Sequence, residues 1–336
     1  MNYRTLGKTG LRVSALGFGC GNVGGLMVRG APAERERAVA RALELGINYF
    51  DTAPSYGNGL SEQNLGLALK ALRVTPQVGT KFNLSQADLS DVPAAITRSL
   101  ETSLRRLGLD RVDLLQCHER IVPAGAHVSE ASRIGVDRAR VVGEIVPALE
   151  KLRGQGKLRF FGITALGDTG ALHETLDSGT FDTAQVCFNL LNPSAGYPVP
   201  PNFPAQDFKQ MLRVAGRRQV GVIAIRVLAA GALSGTEARH PIAVPTVDPI
   251  ASGPDYDTDV RRTQALRALV DEGHATSLVE ASLRFALTDD AVSTVLLGYS
   301  SLEHLEYAAA SVDKGPLSAT ARERLAALWP GFAAAG

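Results

Sequence analysis

Four side chains in this sequence, Asp51, Tyr56, Lys81 and His118, are of types that together could move a proton to or from a carbonyl oxygen. A tyrosine hydroxyl titrates near about 10 in reference peptides, too high for ready proton exchange at neutral pH. A neighbouring ammonium favours the phenolate, and a carboxylate keeps that ammonium charged and placed. A histidine donating a hydrogen bond would orient the carbonyl. Taken singly, each has an ordinary reading: Asp51 as a turn cap, Lys81 as a solvated charge, His118 as a satisfied loop histidine, Tyr56 as packing. A second stretch, GCGNVG from Gly19 to Gly24, matches the G-x-G-x-x-G pattern of dinucleotide-binding Rossmann proteins. That fingerprint requires the glycine turn to open directly into a helix. Here Gly25, Gly30 and Pro32 precede any helical pattern, so no helix is expected after the turn and the Rossmann reading is set aside. A nicotinamide cofactor stays open on other grounds.

The four residues lie at or just beyond the ends of short apolar runs. Such runs read as strands near Ala15–Gly19, Ile47–Phe50, Gln77–Thr80, Val112–Cys117, Phe160–Ile163, Thr183–Cys187, Val220–Ala224 and Thr294–Leu297. Helical patterns alternate with them. Ala33–Leu45 stops at Gly46, Ser61–Leu72 carries Glu62 in its first turn, Pro93–Leu107 stops at Gly108, and Val141–Arg153 stops at Gly154. Asp168 caps a helix through Leu176, and Thr276–Leu287 and Ser301–Ala309 also have apolar spacing. Strands such as VDLLQC and VGVIAI are continuously apolar, as strands covered by helices are. Eight repeats of this kind predict an α/β fold, a (β/α)8 TIM barrel formed by residues 1–336 as a single domain. Three insertions follow strands: His118–Arg140, Phe188–Pro204 and Arg226–Asp257. In a barrel they fall on the C-terminal face, where active sites are built. The opening MNYRTLGKTGLRVS predicts a hairpin plugging the other end, and Ser318–Trp329 an extra C-terminal helix.

Composition narrows the partners. A net charge of +1, 45% hydrophobic and 21% charged residues are those of a soluble globular protein with no footprint for nucleic acid or an anionic membrane. A small-molecule partner is expected, with oligomeric state open. Neither a secretory signal nor a run long enough to span a bilayer is visible, which makes the expected location cytoplasmic. Cys20, Cys117 and Cys187 are widely spaced and read as reduced core fillers. Two rival classes remain. A metal-dependent barrel hydrolase or isomerase needs clustered ligands, whereas His118, His127, His173, His240, His274 and His304 are scattered, so no metal is expected. A non-catalytic barrel that senses the cofactor has no need of all four proton-transfer residues.

The segments FDTAPSYGNGLSEQNLG, VGTKF, VDLLQCH, GKLRFFGIT, QVCFNLLN and VLLGYSSLEHLE, in this order, resemble the aldo-keto reductase superfamily across nearly the whole chain. The resemblance implies a barrel with NAD or NADP extended over its C-terminal face and reversible oxidation of an alcohol to a carbonyl. It assigns the catalytic tetrad to Asp51, Tyr56, Lys81 and His118, with Tyr56 as acid/base and Asp51 also beside the cofactor. Gly19, Cys20 and Gly21 become a first loop near the nicotinamide. Gln185 matches a glutamine that contacts the carboxamide, and Thr164 its serine partner, while Ala165 stands where asparagine is usual. In place of Y-S-P-L the chain has Ile225, Arg226, Val227 and Leu228, which removes an aromatic stacking partner. Arg226 is open to three readings: binding the pyrophosphate, binding an anionic substrate, or pairing with a loop carboxylate. Gly298, Ser300, Ser301 and His304 fall in the implied phosphate-binding segment.

The LGKTGLRVSALGFG opening, GIT and LLGYSSLEHLE are similar to the L-galactose and D-threo-aldose dehydrogenase branch, which implies oxidation of a sugar's anomeric hydroxyl to a lactone. General aldehyde or ketone reduction with NADPH is the alternative. Ser300 and His304 occupy places where relatives commonly have arginine, whose planar fork binds a phosphate bidentately. NAD is therefore expected to be accepted at least as readily as NADP, with the Ser300 and Ser301 hydroxyls still open as phosphate donors.

Overall fold

Continuous apolar runs bury both faces of a parallel sheet, and in this computed structural model eight of them close into a barrel. The structure describes residues 1–126, 129–130, 133–236 and 238–334. The barrel strands, in chain order, are Leu16–Gly19, Tyr49–Asp51, Gln77–Phe82, Val112–Cys117, Leu158–Thr164, Thr183–Cys187, Gly221–Ile225 and Val292–Gly298. Each pairs in parallel with the next, and the eighth returns to the first with Gly298 opposite Gly19. Asp51 lies opposite both Gly19 and Gly79, and Lys81 opposite Gln116. These registers bring the C-terminal strand ends to one rim.

The expected hairpin is present, with Tyr3–Thr5 antiparallel to Arg12–Ser14. Its Leu6, Leu11 and Val13 are buried with Tyr49, Leu114 and Ile223, which plugs the end of the barrel away from the rim of C-terminal strand ends. Local chemistry sets the helix boundaries. Asp91 accepts from the Ala94 N–H to start Val92–Leu107, which ends at left-handed Gly108, and Asp168 does the same for Thr169–Asp177. The C-terminal helix, Ala319–Leu328, is followed by Trp329, whose indole N–H donates to the Leu190 carbonyl at 3.1 Å. It thereby ties down the loop after the sixth strand.

Several expectations need correction. A single helical turn, Leu26–Arg29, does follow the glycine stretch, because Gly25 at φ 84° reverses the chain into it. It ends at Gly30 before Pro32, and the closed barrel has no Rossmann crossover. The helix written as Val141–Arg153 begins at Arg138 and passes through a π-helical turn at Val141–Ile145. Helices Met211–Arg217 and Tyr256–Leu266 had no sequence assignment; the first is short and the second largely polar. The insertion after the fourth strand carries Arg120–Val122, Ser129–Glu130 and Arg133–Asp137 as a small sheet, although residues 127, 128, 131 and 132 within it lie outside the described residues.

Candidate active site

Asp51 ends the second strand, Lys81 is the penultimate residue of the third, and His118 directly follows the fourth. Tyr56 lies in the turn after the second strand. That turn needs three consecutive left-handed residues, Gly57, Asn58 and Gly59, at φ 59°, 53° and 89°. A side chain at Gly57 or Gly59 would be strained by the positive φ, so the glycines of the SYGNG motif shape the tyrosine's loop. The Gly57 N–H donates to Asn22 Oδ1 at 2.8 Å, which fastens this turn to the first barrel loop.

The four residues converge. The Lys81 ammonium donates to Asp51 Oδ1, and to the Thr52 carbonyl at 2.7 Å. It lies 4.8 Å from the centroid of the Tyr56 ring, and the Tyr56 and His118 rings meet edge to face at 6.1 Å. Lys81 is 1% exposed. Burial works against its charge, but Asp51 and then Tyr56 override it and hold the amine above the ordinary lysine range. A charged ammonium is thus maintained next to a tyrosine hydroxyl at the mouth of an apolar barrel.

Asp51 has two further donors. Tyr49, fully buried, donates its hydroxyl to Oδ2 at 2.9 Å, and the Gln185 amide donates to the same oxygen at 2.7 Å. Burial, and then the Asp51 carboxylate, push the Tyr49 hydroxyl far above its ordinary value, so Tyr49 is always a donor. The other end of Gln185 accepts from Thr164 Oγ1 at 3.3 Å, across the register of the fifth and sixth strands. Sequence reasoning paired Thr164 with Gln185 but missed Tyr49, since an aromatic residue in a strand reads as core.

The first loop leads outward. Gly19 and Cys20 are buried, and burial drives the Cys20 thiol far above its usual range, so it stays protonated; the Cys117 thiol is likewise pushed up to about 12. All three cysteines are buried, with no disulfide between them. A side chain at Gly21 would touch Tyr56 at 3.8 Å, which leaves room above that ring. Two residues on, Val23 and Gly24 enter a cleft of about 490 Å3. At Gly24 a Cβ would lie 2.5 Å from the Tyr299 carbonyl, so only glycine permits this approach of the first and last loops.

Arg226, Leu228, Gly298, Ser300 and His304, all expected at the cofactor, line this cleft, and Arg239, His240 and Tyr256 join them. Arg226 is held in a left-handed conformation at φ 56°, and its guanidinium donates to the Asp248 carbonyl at 3.4 Å. Arg239 donates to the Val244 and Ala230 carbonyls at 2.6 and 2.9 Å. The serine expectation changes. Ser300 Oγ donates to the Gly24 carbonyl at 2.8 Å, while Ser301 hydrogen-bonds Glu303 and accepts from the His304 N–H as a helix cap. Both hydroxyls are therefore already engaged with protein groups. Nothing in the sequence distinguished Arg239 and His240, which lie in a long loop without periodicity.

An extended anion with two negatively charged phosphates suits a cleft with two guanidinium groups and a glycine-walled edge, and one loop connects that cleft to Tyr56. The residues present fit a dinucleotide. Among the described residues no group of three or more His, Cys, Asp or Glu could hold a metal ion, and His127 lies outside them. Nor is any described helix long and apolar enough to cross a membrane.

The chain resembles known proteins over nearly its full length. Residues 15–330 match the aldo/keto reductase family. The chain is 33% identical to L-galactose dehydrogenase of Arabidopsis thaliana, over 93% of this chain and 88% of that protein. It is 27% identical to D-threo-aldose 1-dehydrogenase of a Pseudomonas species, over 94% and 95% of the two. Among solved structures, an aldo-keto reductase from Bacillus halodurans in its holo form superposes with a TM-score of 0.70, at 26% identity over 98% of this chain and 96% of that one. With its barrel, its strand-end tetrad and this match over nearly its full length, the chain belongs to the aldo/keto reductase family.

Proposed function

We propose that this NAD(P)-dependent oxidoreductase oxidises the anomeric hydroxyl of a small sugar to the lactone, with Tyr56 as the general base and, in reverse, the general acid. The observation that carries the reading is the convergence of Asp51, Lys81, Tyr56 and His118 on one rim. The sugar assignment draws support from the two aldose-type dehydrogenases among the relatives.

The nicotinamide, when bound, supplies the hydride chemistry. The protein's part is to manage the proton and the charge. In oxidation Tyr56 takes the hydroxyl proton of the substrate as its phenolate, which the Lys81 ammonium beside it stabilises before the transfer; in reduction the same charge appears on the phenolic oxygen as Tyr56 gives its proton up. Asp51 fixes that ammonium in place. His118, edge-on to Tyr56, donates a hydrogen bond to the substrate oxygen as it becomes a carbonyl. Thr164 and Gln185 would hold the nicotinamide, and Arg226, Leu228, Gly298 and His304, which line the cleft, would hold the rest of the dinucleotide.

A panel of aldoses with NAD and NADP, set beside aromatic aldehydes with the reduced cofactors, tests this directly. Turnover of one or more aldoses to lactone without added metal is expected. Inert aldoses together with rapid aldehyde reduction would overturn the sugar reading and leave general carbonyl reduction in its place.

A further inference from the structure

The ladder between the third and fourth strands ends with Phe82 opposite Cys117, and the His118 N–H still donates to the Phe82 carbonyl at 3.1 Å. Beyond that point the chain swings the other way. The Ile121 N–H donates to the Leu166 carbonyl at 2.8 Å and the Ile121 carbonyl accepts from the Asp168 N–H at 2.9 Å, both in the loop after the fifth strand. A Cβ on Gly167 would lie 2.1 Å from the Ile121 carbonyl, so this contact requires glycine. His118 therefore stands where the chain changes partners, and the exit of the third strand, at Asn83 and Leu84, is left without a backbone ladder. The Glu119 side chain takes its place. Its Oε1 accepts from the Leu84 N–H at 2.7 Å and from the Asn83 amide at 3.1 Å. Only 1% of Glu119 is exposed, so protein donors stand in for water at this carboxylate. We propose that Glu119 is a positioning residue of the tetrad: its carboxylate ties the segment after Lys81 to the residue after His118, and so fixes where the imidazole stands relative to the ammonium and the Tyr56 ring.

The inference rests on reading Asp51, Tyr56, Lys81 and His118 as the proton-transfer group. An apolar side chain would fill the Glu119 position without the cost of burying a charge, so packing does not account for the carboxylate. What it adds is a directed bond of fixed length. Asn83 and Leu84 come two and three residues after Lys81, and Glu119 comes directly after His118. The lysine and the histidine thus belong to neighbouring strands whose spacing beyond the ladder is set by this bond. Both face one aromatic ring: the ammonium lies 4.8 Å from the Tyr56 centroid, and the imidazole meets that ring edge to face at 6.1 Å. A slip of the fourth strand's end against the third moves the imidazole relative to the ammonium across that ring. Misplacement by about 1 Å can cost about 100-fold in rate.

The test compares Glu119→Gln, which keeps the length and an acceptor oxygen, with Glu119→Asp, which keeps the charge but withdraws it by one methylene. Nuclear magnetic resonance of the cofactor-free protein, labelled in its histidine ring nitrogens, reports the imidazole without turnover; the His118 signal is assigned by its loss in His118→Gln. Glu119→Asp should move or split that signal, and Glu119→Gln should leave it near that of the parent, with the remaining histidines in place in both. Reduction of para-nitrobenzaldehyde by NADH and by NADPH should follow the same order. The kcat should fall by about tenfold or more in Glu119→Asp and stay within about threefold of the parent in Glu119→Gln, with the cofactor KM within about twofold in each. A His118 signal or a kcat unmoved in Glu119→Asp, or equal losses in the two variants, would overturn the proposal. Tyr56→Phe separates the two failures: turnover kept in that variant overturns the tetrad reading, whereas turnover lost there and kept in Glu119→Asp overturns only the role of Glu119.

Discussion

Tyr49 and Gln185 donate to the same carboxylate oxygen of Asp51, at 2.9 and 2.7 Å, while Lys81 holds the other. The carboxylate that anchors the charged lysine is itself fixed from inside the barrel by two neutral donors. Hydrogen bonds to charged groups are worth about 1.5–3 kcal/mol each, and losing a partner in a buried site leaves the charge under-satisfied. Tyr49→Phe keeps the ring and removes only that donor. It is expected to lower kcat by about tenfold through a looser Lys81, with KM changed by less than about twofold. An unaltered kcat would reduce Tyr49 to packing.

Tyr56→Phe removes the proposed acid/base group but almost none of the binding surface. Turnover should fall by about 10²–10⁴-fold, while titration of cofactor fluorescence gives an affinity near that of the parent. Lys81→Met should lose activity on the same scale, since the charge beside Tyr56 is gone. Activity within a few-fold of the parent in either variant would refute the assignment.

The four chemistry-bearing residues were legible because each sits where an apolar run stops, and the barrel has to bring those stops to one rim. What lay between them was less so. Tyr49 has the same apolar signature as its core neighbours, and only the fold shows that its hydroxyl meets Asp51. The single turn Leu26–Arg29 is too short to show a period, and it depends on the left-handed Gly25. Arg239 and His240 lie in a loop whose course is set by tertiary clasps, such as the Arg29 guanidinium on the Ile242 carbonyl at 2.6 Å and the Val244 N–H on the Val23 carbonyl at 3.1 Å. Ser300 and Ser301 showed the opposite error: hydroxyls free in the sequence are used by a loop contact and a helix cap in the fold.

Away from the site, Glu280 should dominate the acid response of the fold. Its carboxylate is 2% exposed. Burial would raise its pKa, but Lys314, Thr276 and Arg284 together outweigh that and bring it down to about 2. Because the folded value is depressed, its stabilisation is fully present above the unfolded value of 4.5 and is lost as pH falls toward about 2. Glu280→Gln should lose on the order of 3 kcal/mol at neutral pH and show a shallower decline in acid. Urea unfolding at a series of pH values reads both. Parallel curves for parent and variant would show that the cluster contributes no linkage.

Cofactor preference gives the last test, and its best position is His304. Ser300 is buried with its hydroxyl on the Gly24 carbonyl, so a large side chain there has to displace the contact that holds the first and last loops together. His304 lies on the exposed rim of the same cleft and contributes no such contact through its ring. His304→Arg replaces an imidazole whose charge depends on pH with a guanidinium that is always charged and can meet a phosphate with two parallel donors. The unmodified chain should use NAD at least as efficiently as NADP at neutral pH, because Glu303 opposes a second negative charge beside His304. The variant should shift kcat/KM toward NADP by about tenfold or more, in line with the strength of charge-assisted bidentate pairs. Steady-state kinetics with both cofactors decide it. Strong NADP preference in the unmodified chain, or a variant with an unchanged ratio, would show that the ribose phosphate is read elsewhere.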